Sequence, residues 1–149
     1  MPARERPPLA ASSLGYLGLI PFIALAALVC LAPEPMRASA SYGLLAYGAT
    51  ILSFLGGIHW GLAIASPSLT PRSRALHLGL GVVPQLLGWA ALLAPSPLGH
   101  VLTAAGLLVI LGADSIAARS GLAPAWFTQL RWPLSCAGAT ALIVAALRC

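Results

Sequence analysis

The sequence contains no lysine and no asparagine, and only three acidic residues, Glu5, Glu34 and Asp114. Charged residues make up 7% of its 149 positions, and all eight basic ones are arginine. A soluble domain charges roughly a quarter of its residues, so a water-soluble globule is excluded. The net charge of +5 points to nucleic acid only where basic residues cluster, and these arginines stand singly or in pairs between apolar runs. Gly-rich phosphate loops, Ser–His–Asp arrangements and carboxylate pairs are also missing. The three cysteines are isolated in apolar surroundings, and the three histidines, His59, His77 and His100, fall in different segments or at different depths. A zinc site needs about four convergent nitrogen or sulfur ligands, which this distribution does not offer. The sequence specifies no metal, no cofactor and no catalytic residue.

What is present is apolar length, with 59% of the residues hydrophobic. About 20 residues span a bilayer as a helix, and five segments reach that scale, from about 14 to 31, 41 to 65, 75 to 93, 98 to 117 and 133 to 147. Proline-rich breaks separate them, "APEP", "SPSLTPRSR" and "APSP" among them, because proline lacks the N–H that a helix interior uses. Pro133 is placed in the first turn of the last span, where that missing N–H is harmless. The expectation is an all-α integral membrane protein: a polar tail over residues 1–13, then one five-helix bundle over 14–149. A first run this long exceeds a signal-peptide core and reads as a span.

Arginine placement sets the orientation. In a five-span reading Arg4, Arg6, Arg72, Arg74, Arg119 and Arg131 share one face, while Arg37 and Arg148 lie on the other. The positive-inside rule then puts the N-terminus in the cytoplasm and the C-terminus in the periplasm. A rise of 1.5 Å per residue sets His59 about 7 Å, and Asp114 about 9 Å, to the cytoplasmic side of the bilayer centre. Tyr16 falls at that level and Gln85 near the midplane. Ionisable groups at such depth face the protein interior and take partners. His59 and Asp114 are therefore expected in one interior polar cluster with Tyr16 as a third member, Arg119 or Arg131 approaching from the membrane surface. Trp60, Arg119, Arg131 and Trp132 fall on or just outside the same layer, and "PAWFTQLRW" (124–132), Trp126 included, reads as an interfacial segment with its aromatics at head-group level.

"SFLGGIHWG" (53–61) sets glycines beside His59. Steps of four give Ala49, Ser53, Gly57, Gly61 and Ala65, a small-residue stripe of the kind that lets membrane helices approach closely. Ser53, Gly57 and Gly61 are expected to pack on the fourth span, and Gly57→Leu to force the backbones apart.

"LGYLGLIPF" (14–22), "YGATILSFLGGIHWG" (47–61), "GVVPQLLGW" (81–89), Asp114 and "GLAPAWFTQLRWPLS" (121–135) together resemble the transmembrane protein 69-like family, a domain of unknown function. The resemblance covers nearly everything after the first dozen residues. It implies a bacterial or mitochondrial inner-membrane protein of about five spans, and supplies no reaction. Taken with the composition, the location expected here is the bacterial inner membrane. Short loops and few polar groups favour a non-catalytic component that binds or assembles other inner-membrane subunits, or a homodimer. The alternatives are a lipid- or quinone-binding protein or intramembrane enzyme using His59 and Asp114, and a small-solute carrier built as a homo-oligomer.

Overall fold

A computed structural model describes residues 6–148. Helices occupy most of them: α1 (Leu9–Leu17), α2 (Leu19–Leu31), α3 (Met36–Ala65), α4 (Pro71–Leu93), α5 (Leu98–Arg119) and α6 (Ala125–Ala146), with no strand among the described residues. α1 and α2 form one interrupted rod, so the architecture is a bundle of five rods joined by short turns. Residues 1–5 of the expected tail lie outside the described residues, and the first helix starts at Leu9 rather than near residue 14.

Local chemistry explains the breaks. Pro21 has no N–H for the Leu17 carbonyl, and the helix is interrupted at Gly18. The Tyr47 hydroxyl donates to the Gly18 carbonyl at 2.9 Å, so a side chain from α3 ties down the backbone at the interruption. Thr70 caps α4, its Oγ1 accepting from the Ser73 N–H at 3.2 Å with Pro71 in the first turn. Arg74 closes the α3–α4 turn by donating to the Ser66 carbonyl at 3.3 Å.

Among the described residues four rods are long and apolar enough to cross a membrane: Leu9–Leu31, Met36–Ala65, Pro71–Leu93 and Leu98–Arg119. α6 has comparable length, but Gln129 and Arg131 sit in its first two turns and lower its apolar character. The expected fifth span thus begins eight residues early. Pro124 caps it, "AWFTQLRW" forms its first two turns rather than a separate interfacial segment, and Pro133 lies inside the helix.

The outer surface is apolar. Leu76, Val83, Trp89, Val109 and Ile116 are all more than half exposed, as side chains facing lipid tails are. The core inside is aliphatic, with Leu44, Leu52, Leu107, Ile110 and Leu142 almost fully enclosed.

The tight helix contact falls on different glycines from those expected. A Cβ on Gly56 would stand 2.7 Å from the Gly81 carbonyl, and one on Gly88 would stand 3.1 Å from the Ala49 carbonyl. α3 and α4 therefore touch through backbone at these two levels. At Gly57 and Gly61 a Cβ would meet nothing within 4 Å. The expected packing of Ser53, Gly57 and Gly61 on the fourth span is overturned, and the reason is geometric. A four-residue step turns about 40° past a full circle, so the stripe winds around the helix and leaves the contact after Ala49.

Candidate functional site

Four helices each carry one buried polar side chain to the same level. His59 lies six residues before the end of α3, and His77 six residues after the start of α4. Asp114 lies five residues before the end of α5, and Arg131 six residues after the start of α6. In antiparallel neighbours these equal distances from one end mean equal depth. All four are at most 9% exposed, and His59 is fully enclosed.

The four join in a chain of hydrogen bonds. His59 Nδ1 lies 2.9 Å from His77 Nδ1, the two rings stacked with centroids 5.2 Å apart and planes 17° from parallel. His59 Nε2 donates to Asp114 Oδ1 at 3.1 Å. Arg131 Nε donates to the other carboxylate oxygen, Oδ2, at 3.0 Å, and Arg131 Nη2 donates to Ser135 Oγ at 2.8 Å. Asp114 beside an arginine is an acceptor on both oxygens, which places a hydrogen on His59 Nε2. The single hydrogen between the two Nδ1 atoms belongs to one ring and is accepted by the other. When His59 is neutral, His77 Nδ1–H is the donor and His59 Nδ1 the acceptor.

Charges at this depth are tolerable only as balanced, hydrogen-bonded sets. The Asp114 carboxylate and the Arg131 guanidinium supply one charge of each sign, so the chain is neutral when both imidazoles are neutral. Of the guanidinium nitrogens, Nη1 makes no hydrogen bond to any described residue.

Arg131 and Ser135 also form part of the wall of a cavity of about 350 Å³ between the first rod, α3 and α6. The rest of that wall is apolar and mostly aliphatic, with four aromatic residues, Phe22, Phe54, Trp126 and Phe127. Ser135 and Arg131 place the polar chain directly behind an apolar space.

Of the expected cluster, His59, Asp114 and Arg131 are joined by hydrogen bonds. Tyr16 does not join them; it is 52% exposed, because the break at Gly18 leaves its face of α1 outside the bundle. Arg119 is exposed at the end of α5, a turn beyond Asp114 and outside the hydrogen-bonded chain. Trp60 is a packing residue: its indole fills the space beside Gly81, where any Cβ would collide, and donates to the Leu78 carbonyl at 2.9 Å. Gln85 points outward and lines a shallow surface groove with Ser53, Gly57 and Trp60. Trp126 lines the apolar cavity and meets Phe127 edge-on, with ring centroids 6.2 Å apart.

The profile of the family described as Protein of unknown function (DUF3429) matches residues 7–147. The chain belongs to that family. It is similar to a protein named Transmembrane protein 69 from Xenopus tropicalis, 41% identical over 128 residues covering 79% of this chain and 46% of that one. A Transmembrane protein 69 from Mus musculus is 34% identical over 120 residues, 76% of this chain and 46% of that protein. The chain thus spans about half the length of the curated relatives it matches. No solved structure matches it.

The DUF3429 fold brings in two residues that sequence reasoning missed, His77 and Ser135. The signal for His77 was its distance from the turn: "TPRSRALH" places it as far inside α4 as "HWGLAIA" places His59 inside α3. Ser135 lies one helical turn after Arg131, on the same face.

Proposed function

We propose that this chain is an inner-membrane protein that holds a lipid- or quinone-type amphiphile, its tail in the apolar cavity and its hydrogen-bond-accepting head against Arg131. The observation that carries this reading is the guanidinium Nη1 without a partner among the described residues, on an arginine held from behind by Asp114 at the edge of an apolar space. Because the Arg131 charge is already balanced, the site suits a neutral acceptor, such as a quinone or ester carbonyl, better than an anion. A volume of about 350 Å³ lies at the lower end of small-molecule sites and takes a head group and the first part of a chain. The His77–His59–Asp114 relay keeps the guanidinium in place, and no reaction is assigned to it.

Decylubiquinone is a suitable probe, with decanol as the same tail lacking the carbonyl ring. Purified protein should be stabilised against heat by the quinone and much less by the alcohol. Ala11→Trp, which fills the cavity from α1 without touching the polar chain, should abolish that stabilisation. Equal responses to both probes, or a response that survives Ala11→Trp, would contradict the reading.

A second reading, assembly with another membrane subunit, draws on the open faces of Gly57 and Gly61. Small residues bare to lipid offer a close approach for a helix, and the occupant we propose is a second copy of the chain. Native gels in mild detergent test it: a dimer that Gly57→Leu converts to monomer supports it, and a monomeric wild type opposes it.

The His59 end is proposed to face the cytoplasm, from the six arginines that the sequence assigns to that side. Reporter fusions after residue 149 and at Arg72 should be active on opposite sides, the former periplasmic.

A further inference from the structure

At the end of the bundle opposite His59, a second cavity of about 350 Å³ opens between the start of α3, the α4–α5 turn and the C-terminal end of the chain. His100 forms part of its wall and is 2% exposed. Its Nε2 lies 3.1 Å from the Ser41 carbonyl, which accepts only, so Nε2 carries the hydrogen. Nδ1 of the neutral ring is then an acceptor, and it has no partner although it is buried. Buried polar atoms are nearly always paired.

The surroundings of this cavity are cationic. Arg37 and Arg148 line it against a single acid, Glu34. Arg37 uses Nε and Nη2 on the Ala32 carbonyl, at 3.3 and 3.2 Å, and stands 3.8 Å from Glu34, leaving Nη1 uncommitted. α3 and α5 both begin here, at Met36 and Leu98, and neither N-terminus is capped by a side chain. Their positive ends add to the arginines.

From these features we infer that the cavity is a binding site for a phosphodiester head group that carries a free hydroxyl, the chemistry of a phosphoglycerol. The oxyanion takes Arg37, Arg148 and the helix N-termini. The hydroxyl donates to His100 Nδ1, which would otherwise stay unpaired. The site is separate from the apolar cavity beside Arg131, and lies at the end of the bundle where lipid head groups meet the helix ends.

Delipidated protein in a non-ionic detergent tests this by titration with four probes: phosphatidylglycerol, phosphatidylmethanol, phosphatidylcholine and glycerol 3-phosphate. Thermal stability is the readout. Phosphatidylglycerol should raise the melting temperature and phosphatidylcholine should not. Phosphatidylmethanol, an anion without the hydroxyl, should bind about threefold to tenfold more weakly, the span of one net hydrogen bond. Arg148→Gln, an exposed change that leaves the core untouched, should weaken the phosphatidylglycerol response, and Arg37→Gln with Arg148→Gln should remove it. Arg72→Gln at the other end should leave it intact. A response to glycerol 3-phosphate that the double variant abolishes would support the site with a soluble phosphate ester as the source. Equal responses to phosphatidylglycerol and phosphatidylcholine would overturn the inference, as would a phosphatidylglycerol response intact in the double variant.

Discussion

The two ends of the bundle each bury histidine, and they treat it differently. At one end His59 has a partner on both ring nitrogens, His77 and Asp114, and the chain continues through Arg131 to Ser135. At the other end His100 meets Ser41 through Nε2 and leaves Nδ1 unpaired. Buried polarity that is completely bonded fixes the register of helices. Buried polarity that is half bonded, beside a cavity and two arginines, invites a ligand. The contrast separates the bonded atoms, which hold the fold, from two that are left over, Arg131 Nη1 and His100 Nδ1, against which the proposed ligands rest.

The sharpest way to break the comparison is to remove one charge from the bonded end. Arg131→Met leaves the Asp114 carboxylate buried without its cation, and loss of one partner from a buried pair costs about 3–5 kcal/mol. Unfolding in detergent should show that loss, and Asp114→Leu added to Arg131→Met should recover most of it. Next in size is the α3–α4 contact. Gly56→Ala puts a methyl against the Gly81 backbone carbonyl, which cannot move like a side-chain tip, and about 1–3 kcal/mol of overpacking is expected. Gly57→Ala, one residue along with open space around it, should be close to neutral in the same assay. His77→Ala strips His59 Nδ1 of its partner inside a dry interior and should cost about 1–3 kcal/mol. His100→Ala gives up the Nε2 bond to the Ser41 carbonyl but nothing at Nδ1, beside a cavity that admits water to the carbonyl, and should cost less than His77→Ala in apo protein. A smaller loss is expected for Tyr47→Phe, which uncouples α3 from the Gly18 carbonyl and should cost about 0.5–1.5 kcal/mol. Equal losses for His77→Ala and His100→Ala would erase the distinction between the two ends.

Much of this architecture was legible in the sequence because membrane helices are read by length and apolar content, and the breaks are prolines. Depth was legible for the same reason: a fixed rise converts residue number into level, and it brought His59 and Asp114 together correctly. Rotation about each helix axis was not. The stripe through Gly57 looked like a contact surface, but four-residue steps drift, and the touching glycine is its neighbour Gly56. Tyr16 shares the level of the cluster and faces away from the bundle. His77 escaped notice because the third segment was drawn to start at about residue 75, which put it at the surface. Capping by Thr70 at Pro71 starts that helix a turn earlier and sinks His77 to the depth of His59. Pro133 misled in the same manner, since a proline compatible with a first turn is also tolerated inside a membrane helix whose neighbours cover the opened backbone.

The central claim is that the polar chain ends in an arginine donor facing a ligand cavity, and native mass spectrometry of protein extracted in mild detergent tests it most directly. Wild-type protein should retain an apolar molecule bearing a neutral carbonyl head, and Ala11→Trp should lose it while melting at the temperature of delipidated wild type. A wild type free of any such molecule even after incubation with excess decylubiquinone, or an Ala11→Trp variant that still carries one, would contradict the account.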